Sequence, residues 1–248
     1  RACGVWEGRA LPMGIFLDGG LFLNRKELTV THLESAEKRI LKAISFGSSS
    51  DASQTDKYFA DNAFIFRQSI ALLQKEKRFL NSIEKERGNN LVFLTLWKNL
   101  KTNSFNVCEV ELIKSLSPLN LSVKETDMLK SLVIVCCIIE AGLVCKFKAH
   151  NSDGFTRLNA VVSALKVLDE LDFEALYPKV STAVSVIEKN EPLFSGMTKE
   201  TKSQYRKALQ DYAKKKKISE LDAALLVAET AERQGTLMGE VLEIDKPK

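Results

Sequence analysis

One segment of this chain, from residue 132 to residue 145, is apolar at every position except Glu140. A helix of this composition is apolar on nearly all sides, and such a helix is stable only where other elements surround it. The segment is shorter than the roughly 20 residues that cross a bilayer, and Glu140 interrupts it. We therefore predict a buried helix in the middle of a bundle, over residues 123–148. Ser122 is its expected cap, with Glu125 three residues on.

Other apolar stripes at helical spacing predict the helices that surround it. The first spans residues 29–44, where Thr31 is the expected cap and Glu34 completes a capping box. Its predicted inward stripe is Leu33, Ala36, Ile40, Leu41 and Ile44. The second spans residues 56–86 and ends at Gly88. Its predicted stripe is Phe59, Ala63, Phe66, Ile70, Leu73, Lys77 and Leu80.

Shorter helices follow, separated by residues that end or kink a helix. Leu94 and Trp97 are the expected inward residues of the first of them. Pro118 and Pro178 are expected to break or kink the chain, and residues 151–154 to form a turn. The predicted helices are residues 91–103, 106–116, 155–171 and 173–190.

Residues 194–231 contain two further helix starts joined by a lysine run. Thr198 is the expected cap of the first helix, with Glu200 in its positive first turn, and Ser219 starts the second. The expected inward residues are Tyr205, Ala208, Leu209 and Tyr212 on the first helix, and Leu221, Leu225 and Ala228 on the second. Neither helix can bury its stripe alone, so the two are expected to pack as a helical hairpin.

The two ends of the chain are predicted to differ from this helical pattern. Two apolar triplets at residues 15–17 and 21–23 flank Asp18, Gly19 and Gly20, which indicates a β-hairpin within an N-terminal arm over residues 1–28. Residues 46–55 are linker-like, and residues 238–244 are expected to form a short strand or extended exit. The predicted fold is all-α, a multi-helix bundle of roughly eight to ten helices with a short N-terminal hairpin or extended arm. Its predicted helical subdomains are residues 29–149 and 150–248.

Composition fits an ordinary globular protein, because 45% of the 248 residues are hydrophobic and 27% are charged. The net charge of +4 is too small to imply nucleic-acid binding by itself. Five cysteines make an odd count, and Cys136 and Cys137 are adjacent in the apolar run. They are typical of buried, reduced thiols in the cytoplasm. No signal peptide pattern opens the chain, and its start at Arg1 suggests a fragment of a longer polypeptide.

The sequence contains no motif for catalysis or for a cofactor. It has no Cys-x-x-Cys pair, no glycine-rich phosphate loop and no nucleophile elbow. His32 and His150 lie far apart in sequence, and neither belongs to a pattern of carboxylates or cysteines at ligand spacing. We therefore predict no catalytic residue, no metal, no cofactor and no small-molecule site.

Interaction with a partner is the remaining possibility, and its candidate residues are Tyr205, Arg206, Lys214, Lys215, Lys216 and Lys217. The lysine run is typical of a solvated helix end whose charge complements the helix dipole. It is also compatible with anionic lipid headgroups, or with phosphates in a helix–turn–helix. Acidic residues on the following helix disfavour nucleic acid, because they would repel its phosphates. Tyr205 is expected to be a core aromatic residue.

The C-terminal half also resembles a known family. The order of Met197, Thr201, Tyr205 and Arg206, followed by Ile218, Ser219, Glu220 and an alanine-rich helix, resembles part of the bacterial cyclic β-1,2-glucan synthases. That part is the helical region N-terminal to their glucosyltransferase domain. The resemblance covers about residues 28–244 and is strongest from Phe173 onward. Further residues that carry it are Ser181, Val184, Val186, Pro192, Ala228 and Gly239.

The resemblance implies a non-catalytic region. The complete enzymes of the family polymerise glucose from UDP-glucose at the inner membrane, and they need a carboxylate pair that holds a metal ion. The present sequence has no Asp-x-Asp pair, so this chain alone is expected to transfer no glucose. The resemblance implies a helical scaffold or regulatory region at the cytoplasmic face of the inner membrane.

The expected partners are other domains of the same polypeptide or a separate protein, with an anionic membrane surface as a further candidate. Two alternatives stay open. One is a free-standing helical protein-interaction adaptor, and the weaker one is a basic helix–turn–helix that binds nucleic acid.

Overall fold

The computed structural model describes residues 15–17, 21–23, 30–86, 91–146 and 152–244. These residues form an all-α bundle of thirteen α-helices, together with one hairpin in which β1 (Ile15–Leu17) pairs antiparallel with β2 (Leu21–Leu23). The predicted fold class and hairpin strands are confirmed, and the predicted glycine turn lies outside the described residues. The helices are α1 Val30–Phe46, α2 Gln54–Asp61, α3 Ala63–Glu86, α4 Leu91–Thr102, α5 Glu109–Leu116, α6 Val123–Asp127, α7 Leu129–Lys146, α8 Ser152–Val167, α9 Phe173–Val180, α10 Thr182–Asn190, α11 Lys199–Lys216, α12 Glu220–Gln234 and α13 Met238–Val241.

Helix α7 is the centre of the bundle, as the apolar run predicts. From Leu129 to Val144 every residue except Lys130 is buried, and helices α1, α3, α4 and α8 pack around it. Within the described part of the chain, no helix is long and apolar enough to cross a membrane. Cys136 and Cys137 are both buried as free thiols, as predicted.

Glu140 is the one charged residue among the buried positions of α7, and it is completely buried. Its Oε2 accepts a hydrogen bond of 3.0 Å from the indole Nε1 of Trp97 on α4. Its Oε1 accepts from the guanidinium of Arg157 on α8, with an Nε distance of 2.7 Å. Both carboxylate oxygens are therefore satisfied, which a buried charge requires.

The number of helices exceeds the predicted eight to ten because three predicted helices are interrupted. Residues 56–86 divide into α2 and α3 at Asn62, whose side-chain amide donates to the carbonyl oxygen of Tyr58 at 3.0 Å. Such a local bond competes with the helical ladder. The predicted helix from Val123 is likewise divided at Met128. Another break follows Pro178, which removes one backbone donor from α9, and the backbone becomes extended at Ser181.

Several predicted boundaries and faces are wrong. Helix α1 begins at Val30, so Thr31 lies inside its first turn, and Leu41 is 39% exposed while the rest of its stripe is buried. The predicted turn at residues 151–154 fails because α8 begins at Ser152. The predicted strand or extended exit over residues 238–244 is instead the short helix α13 followed by a turn.

The predicted inner face of α12 is also wrong. Leu225 is 52% exposed, whereas the buried residues are Ala223, Ala224, Val227 and Ala231. Helix α12 packs most closely against α10, and small side chains permit that approach.

Helix α11 packs on α12 and α6, so the predicted helical hairpin of α11 and α12 is present. One hydrophobic core runs through both predicted subdomains.

Candidate functional site

Helix α11, which carries all but one of the predicted interaction residues, is defined by local signals at both ends. Thr198 caps its start, with Oγ1 accepting from the backbone N–H of Thr201 at 3.3 Å. Backbone N–H groups and the Thr198 hydroxyl lower the pKa of Glu200 in the first turn. At the other end Lys217 adopts the left-handed conformation (φ 57°) and closes the helix. The preceding lysines lie where positive charge complements the helix dipole.

Arg206 lies in the interior and joins three helices. Only 3% of its side chain is exposed. Its Nε donates to Oδ1 of Asp127 on α6 at 2.6 Å, and its Nη atoms donate to both oxygens of Glu174 on α9 at 2.9 and 3.1 Å. The guanidinium carbon lies 4.7 Å from the ring centroid of Tyr177. These contacts use the planar fork of arginine, which a lysine cannot replace.

Burial and neighbouring charges shift the pKa values of this cluster in opposite directions. Burial alone would lower the pKa of Arg206, but the hydrogen bonds and charges of Glu174 and Asp127 outweigh it and raise the pKa. For Asp127 burial is the larger influence, and its pKa is raised in spite of the neighbouring guanidinium. Burial, with the charge of Glu174, also raises the pKa of Tyr177. The cluster is therefore a partly desolvated cross-link between helices.

Tyr205 points into a second buried contact beside the first. Its hydroxyl donates to Oε2 of Glu191 at 3.2 Å, and its ring packs edge-on against Phe194, with centroids 5.7 Å apart. The same Oε2 accepts the backbone N–H of Gly239 at 3.4 Å, in the first turn of α13. Glu191 is 1% exposed, and its Oε1 has no hydrogen-bond partner among the described residues. Leu237, the cap residue of α13, makes no side-chain cap bond, so Glu191 supplies that acceptor from a distant helix end.

Gly239 is required here by the close approach of Tyr205. A Cβ atom at this position would lie 2.3 Å from the Tyr205 hydroxyl oxygen and 2.9 Å from the ring carbon that bears it. Such distances essentially never occur, and the tyrosine ring is held by Phe194 and Glu191. The C-terminal turn can therefore close over Tyr205 only with glycine at this position.

Glu220 makes a third link of this kind. Its Oε2 accepts the backbone N–H of Val123 at 2.7 Å, so α12 caps the start of α6 together with the local cap residue Ser122. Burial raises the pKa of Glu220. We call the residues that make these links the α11 frame: Asp127, Glu174, Glu191, Tyr205, Arg206 and Glu220.

The four predicted lysines, Lys214, Lys215, Lys216 and Lys217, are all exposed. Two of them border a groove of about 740 Å³ that runs between α11 and residues 241–244. From α11 the groove is lined by Gln204, Lys207, Ala208, Asp211, Tyr212, Lys215 and Lys216, and from the C-terminal turn by Val241, Leu242, Glu243 and Ile244. We call it the α11 groove. Sequence reasoning missed it because its second wall, residues 241–244, was predicted to be part of a short strand or extended exit.

The structure therefore divides the predicted interaction residues into two sets. Tyr205 and Arg206 are buried in the α11 frame and cannot contact a partner directly, whereas the lysines are on the surface. The exposed charged residues of α12 are Asp222, Glu229, Glu232 and Arg233, a mostly acidic set. An acidic second helix disfavours docking of α11 and α12 on nucleic acid, because phosphates dominate such binding.

The described residues give little support to a metal site or to a reactive thiol. No group of three or more potential metal ligands occurs there. Burial raises the pKa of the Cys137 thiol, and raises that of Cys145 to about 12, so neither is an activated thiolate. Comparison with protein-family models, with curated proteins and with solved structures gives no match to this chain.

Proposed function

We propose that this chain is a non-catalytic helical scaffold that holds other domains of its own polypeptide, or a separate protein. The observation that carries the proposal is the α11 frame. Its charged side chains connect α6, α9, α11, α12, α13 and the C-terminal end of α10 through hydrogen bonds at defined distances. Arg206 and Glu191 are buried, and the two carboxylates that pair with Arg206 are partly exposed. Charged side chains with defined partners fix the relative positions of helices, which is what a scaffold requires.

The arrangement of charge supports an interaction role for the same region. Arg206 is used inside the frame, whereas Lys207 and the four lysines of residues 214–217 are exposed. Helix α11 therefore presents a row of cations from a backbone that other helices hold in place. A surface on a rigid element loses less conformational freedom on binding than a mobile one.

The resemblance to the helical region of cyclic β-1,2-glucan synthases stays a prediction, and the scaffold proposal does not depend on it. Tyr205, Arg206, Glu220 and Gly239 carry the strongest part of the resemblance, and all four contribute contacts to the frame. Their roles here are in helix packing. This supports a structural function for the shared residues and bears on no catalytic group.

Photo-crosslinking in the native cells tests the scaffold proposal. A photoreactive residue would be placed in turn at exposed positions on several faces, including Lys57 on α2, Phe64 on α3 and Lys214 on α11. We expect one face to cross-link reproducibly to a protein or to a further domain of the same polypeptide. The purified partner should then bind the chain with fixed stoichiometry in calorimetry.

Two results would reject the scaffold proposal. One is the failure of every face to yield a partner that binds after purification. The other is glucose transfer from UDP-glucose, or another turnover, that follows the protein peak through purification.

A further inference from the structure

Positive charge in this protein is concentrated on one helix. Residues 199–217 contain eight basic and two acidic side chains, a net charge of +6. The whole chain has a net charge of +4, so the remaining residues together carry −2. One of the eight cations, Arg206, is neutralised inside the frame, and the other seven are lysines. Residues 199–217 therefore carry a large local excess of positive charge, which attracts anions to this helix.

The α11 groove places some of these lysines along the edge of a concave surface. Its floor is partly apolar, with Ala208 and Tyr212 on one side and Val241, Leu242 and Ile244 on the other. Lys207, Lys215 and Lys216 lie along the α11 side, and Lys216 Nζ is 5.8 Å from the ring centroid of Tyr212. A concave site with an apolar floor and charged edges is typical of peptide recognition. A flat membrane surface could contact the lysines but could not enter the groove.

The spacing of charges in the groove defines what fits. Lys207 and Lys215 are separated by about 12 Å along the helix, because each residue rises about 1.5 Å. In an extended peptide, residues four apart are separated by about 13 Å, at about 3.3 Å per residue. Asp211 lies halfway between the two lysines, and Glu243 adds a second carboxylate on the opposite wall. An anion opposite Asp211 would be repelled, which disfavours a polymer with a charge on every unit, such as a nucleic acid.

We propose that the α11 groove binds a short extended segment of a partner protein that carries two acidic residues four positions apart. The residue midway between them is an amide or a base, and the intervening residues are apolar. The two carboxylates pair with Lys207 and Lys215, the middle residue faces Asp211, and the apolar side chains contact the floor. The proposal rests on the scaffold function and names the chemistry of its partner.

Fluorescence anisotropy with synthetic peptides tests the proposal directly. The probe is a fluorescein-labelled peptide with the core Glu-Leu-Gln-Leu-Glu and glycine–serine flanks. We expect saturable binding to the intact chain at 0.15 M salt, where the Debye length is about 8 Å. Binding should weaken at least ten-fold in the double variant Lys207→Glu/Lys215→Glu. The matched single variant Lys57→Glu reverses an exposed lysine on α2 and should leave the affinity unchanged.

Two further probes test the spacing rule. A peptide with the core Gln-Leu-Gln-Leu-Gln should show no saturable binding, because it lacks both carboxylates. The core Glu-Leu-Glu-Leu-Glu has more negative charge but places an acid opposite Asp211, so it should bind several-fold more weakly than the probe. If the lysines attracted any anion regardless of spacing, the Glu-Leu-Glu-Leu-Glu peptide would instead bind more tightly than the probe.

The proposal is overturned if the glutamine peptide binds equally well, if the affinity rises with every added glutamate, or if Lys57→Glu has the same effect as the groove variant. It is also overturned if single-stranded DNA or phosphatidylglycerol vesicles bind more tightly than the probe and displace it. Circular dichroism of each variant establishes that it is folded. Since the photo-crosslinking experiment samples several faces, a partner captured from α2 or α3 would leave the scaffold proposal standing while rejecting the groove.

Discussion

The variant Gly239→Ala, which adds one methyl group, tests how tightly the α11 frame is packed. In Gly239→Ala the new Cβ would lie 2.3 Å from the Tyr205 hydroxyl oxygen, so either the tyrosine or α13 must move. Overpacking of this kind costs about 1–3 kcal/mol. Displacement of Tyr205 also weakens its hydrogen bond to the buried carboxylate of Glu191, a class of bond that contributes about 1.5–3 kcal/mol.

A smaller effect acts in the other direction. Alanine restricts the unfolded chain more than glycine does, which stabilises the folded state by about 0.4–1 kcal/mol. The net expectation for Gly239→Ala is a loss of about 2–4 kcal/mol in the free energy of unfolding. For a chain of this size, the melting temperature should fall by about 4–16 °C.

Gly196 provides the matched control, because a Cβ atom there would meet nothing within 4 Å. Gly196→Ala should leave stability unchanged or raise it slightly. Urea unfolding followed by circular dichroism would measure both variants and the double variant Gly239→Ala/Tyr205→Phe. Removing the hydroxyl removes part of the clash, so the double variant should be less destabilised than the sum of the single variants by about 1 kcal/mol. Equal stabilities of Gly239→Ala and Gly196→Ala would refute the packing described for the frame.

Three further predictions concern other parts of the structure. Arg206→Met should lower the free energy of unfolding by about 1–3 kcal/mol in urea titration, because it leaves the partly buried carboxylate of Glu174 without its donors while water can solvate the 37% exposed Asp127. Lys214→Met on the same helix should change it by less than about 0.5 kcal/mol. Burial raises the folded-state pKa of Glu220, so its contribution to stability should fall as pH rises from about 4.3, the unfolded value, through the folded pKa. Glu220→Gln keeps an oxygen that can accept the Val123 N–H, so it should remove this part of the pH dependence of stability. Thermal melts between pH 4 and 7 measure it. If the melting temperature of the variant changed with pH as steeply as that of the original chain, Glu220 would not be the titrating group. Iodoacetamide should modify the exposed thiol of Cys108 in the native protein but reach Cys136 and Cys137 only after unfolding, as mass spectrometry of the peptides would show.

Local signals in the sequence predicted local structure well. The caps at Ser122, Thr198 and Ser219 each depend on a residue three positions away, and all three are present. The apolar run of α7 predicted its central position, because only complete burial suits a helix that is apolar on all sides.

The α11 frame could not be predicted in the same way, because its contacts join residues distant in sequence. The partners of Arg206 are 79 and 32 residues away, and nothing in the local pattern distinguishes a buried arginine from a solvated one. The phase of α12 was mispredicted for a related reason. Leucines suggest an inner face, but close packing against α10 selects the alanines, and this depends on the distance between two helices. The α11 groove depends in turn on where residues 241–244 fold back.

The Glu140 contact has a consequence for how the bundle selects one arrangement. Helix α7 is apolar on every side, so hydrophobic burial alone would be nearly the same after the helix rotates about its axis or slides by one turn. Glu140 removes that freedom, since its two oxygens can meet Trp97 on α4 and Arg157 on α8 in one orientation only. A buried ion pair adds little net stability because desolvation offsets its attraction, but every misrotated state leaves a charge unpaired. Glu140 thus sets the rotation and the register of the central helix against its neighbours.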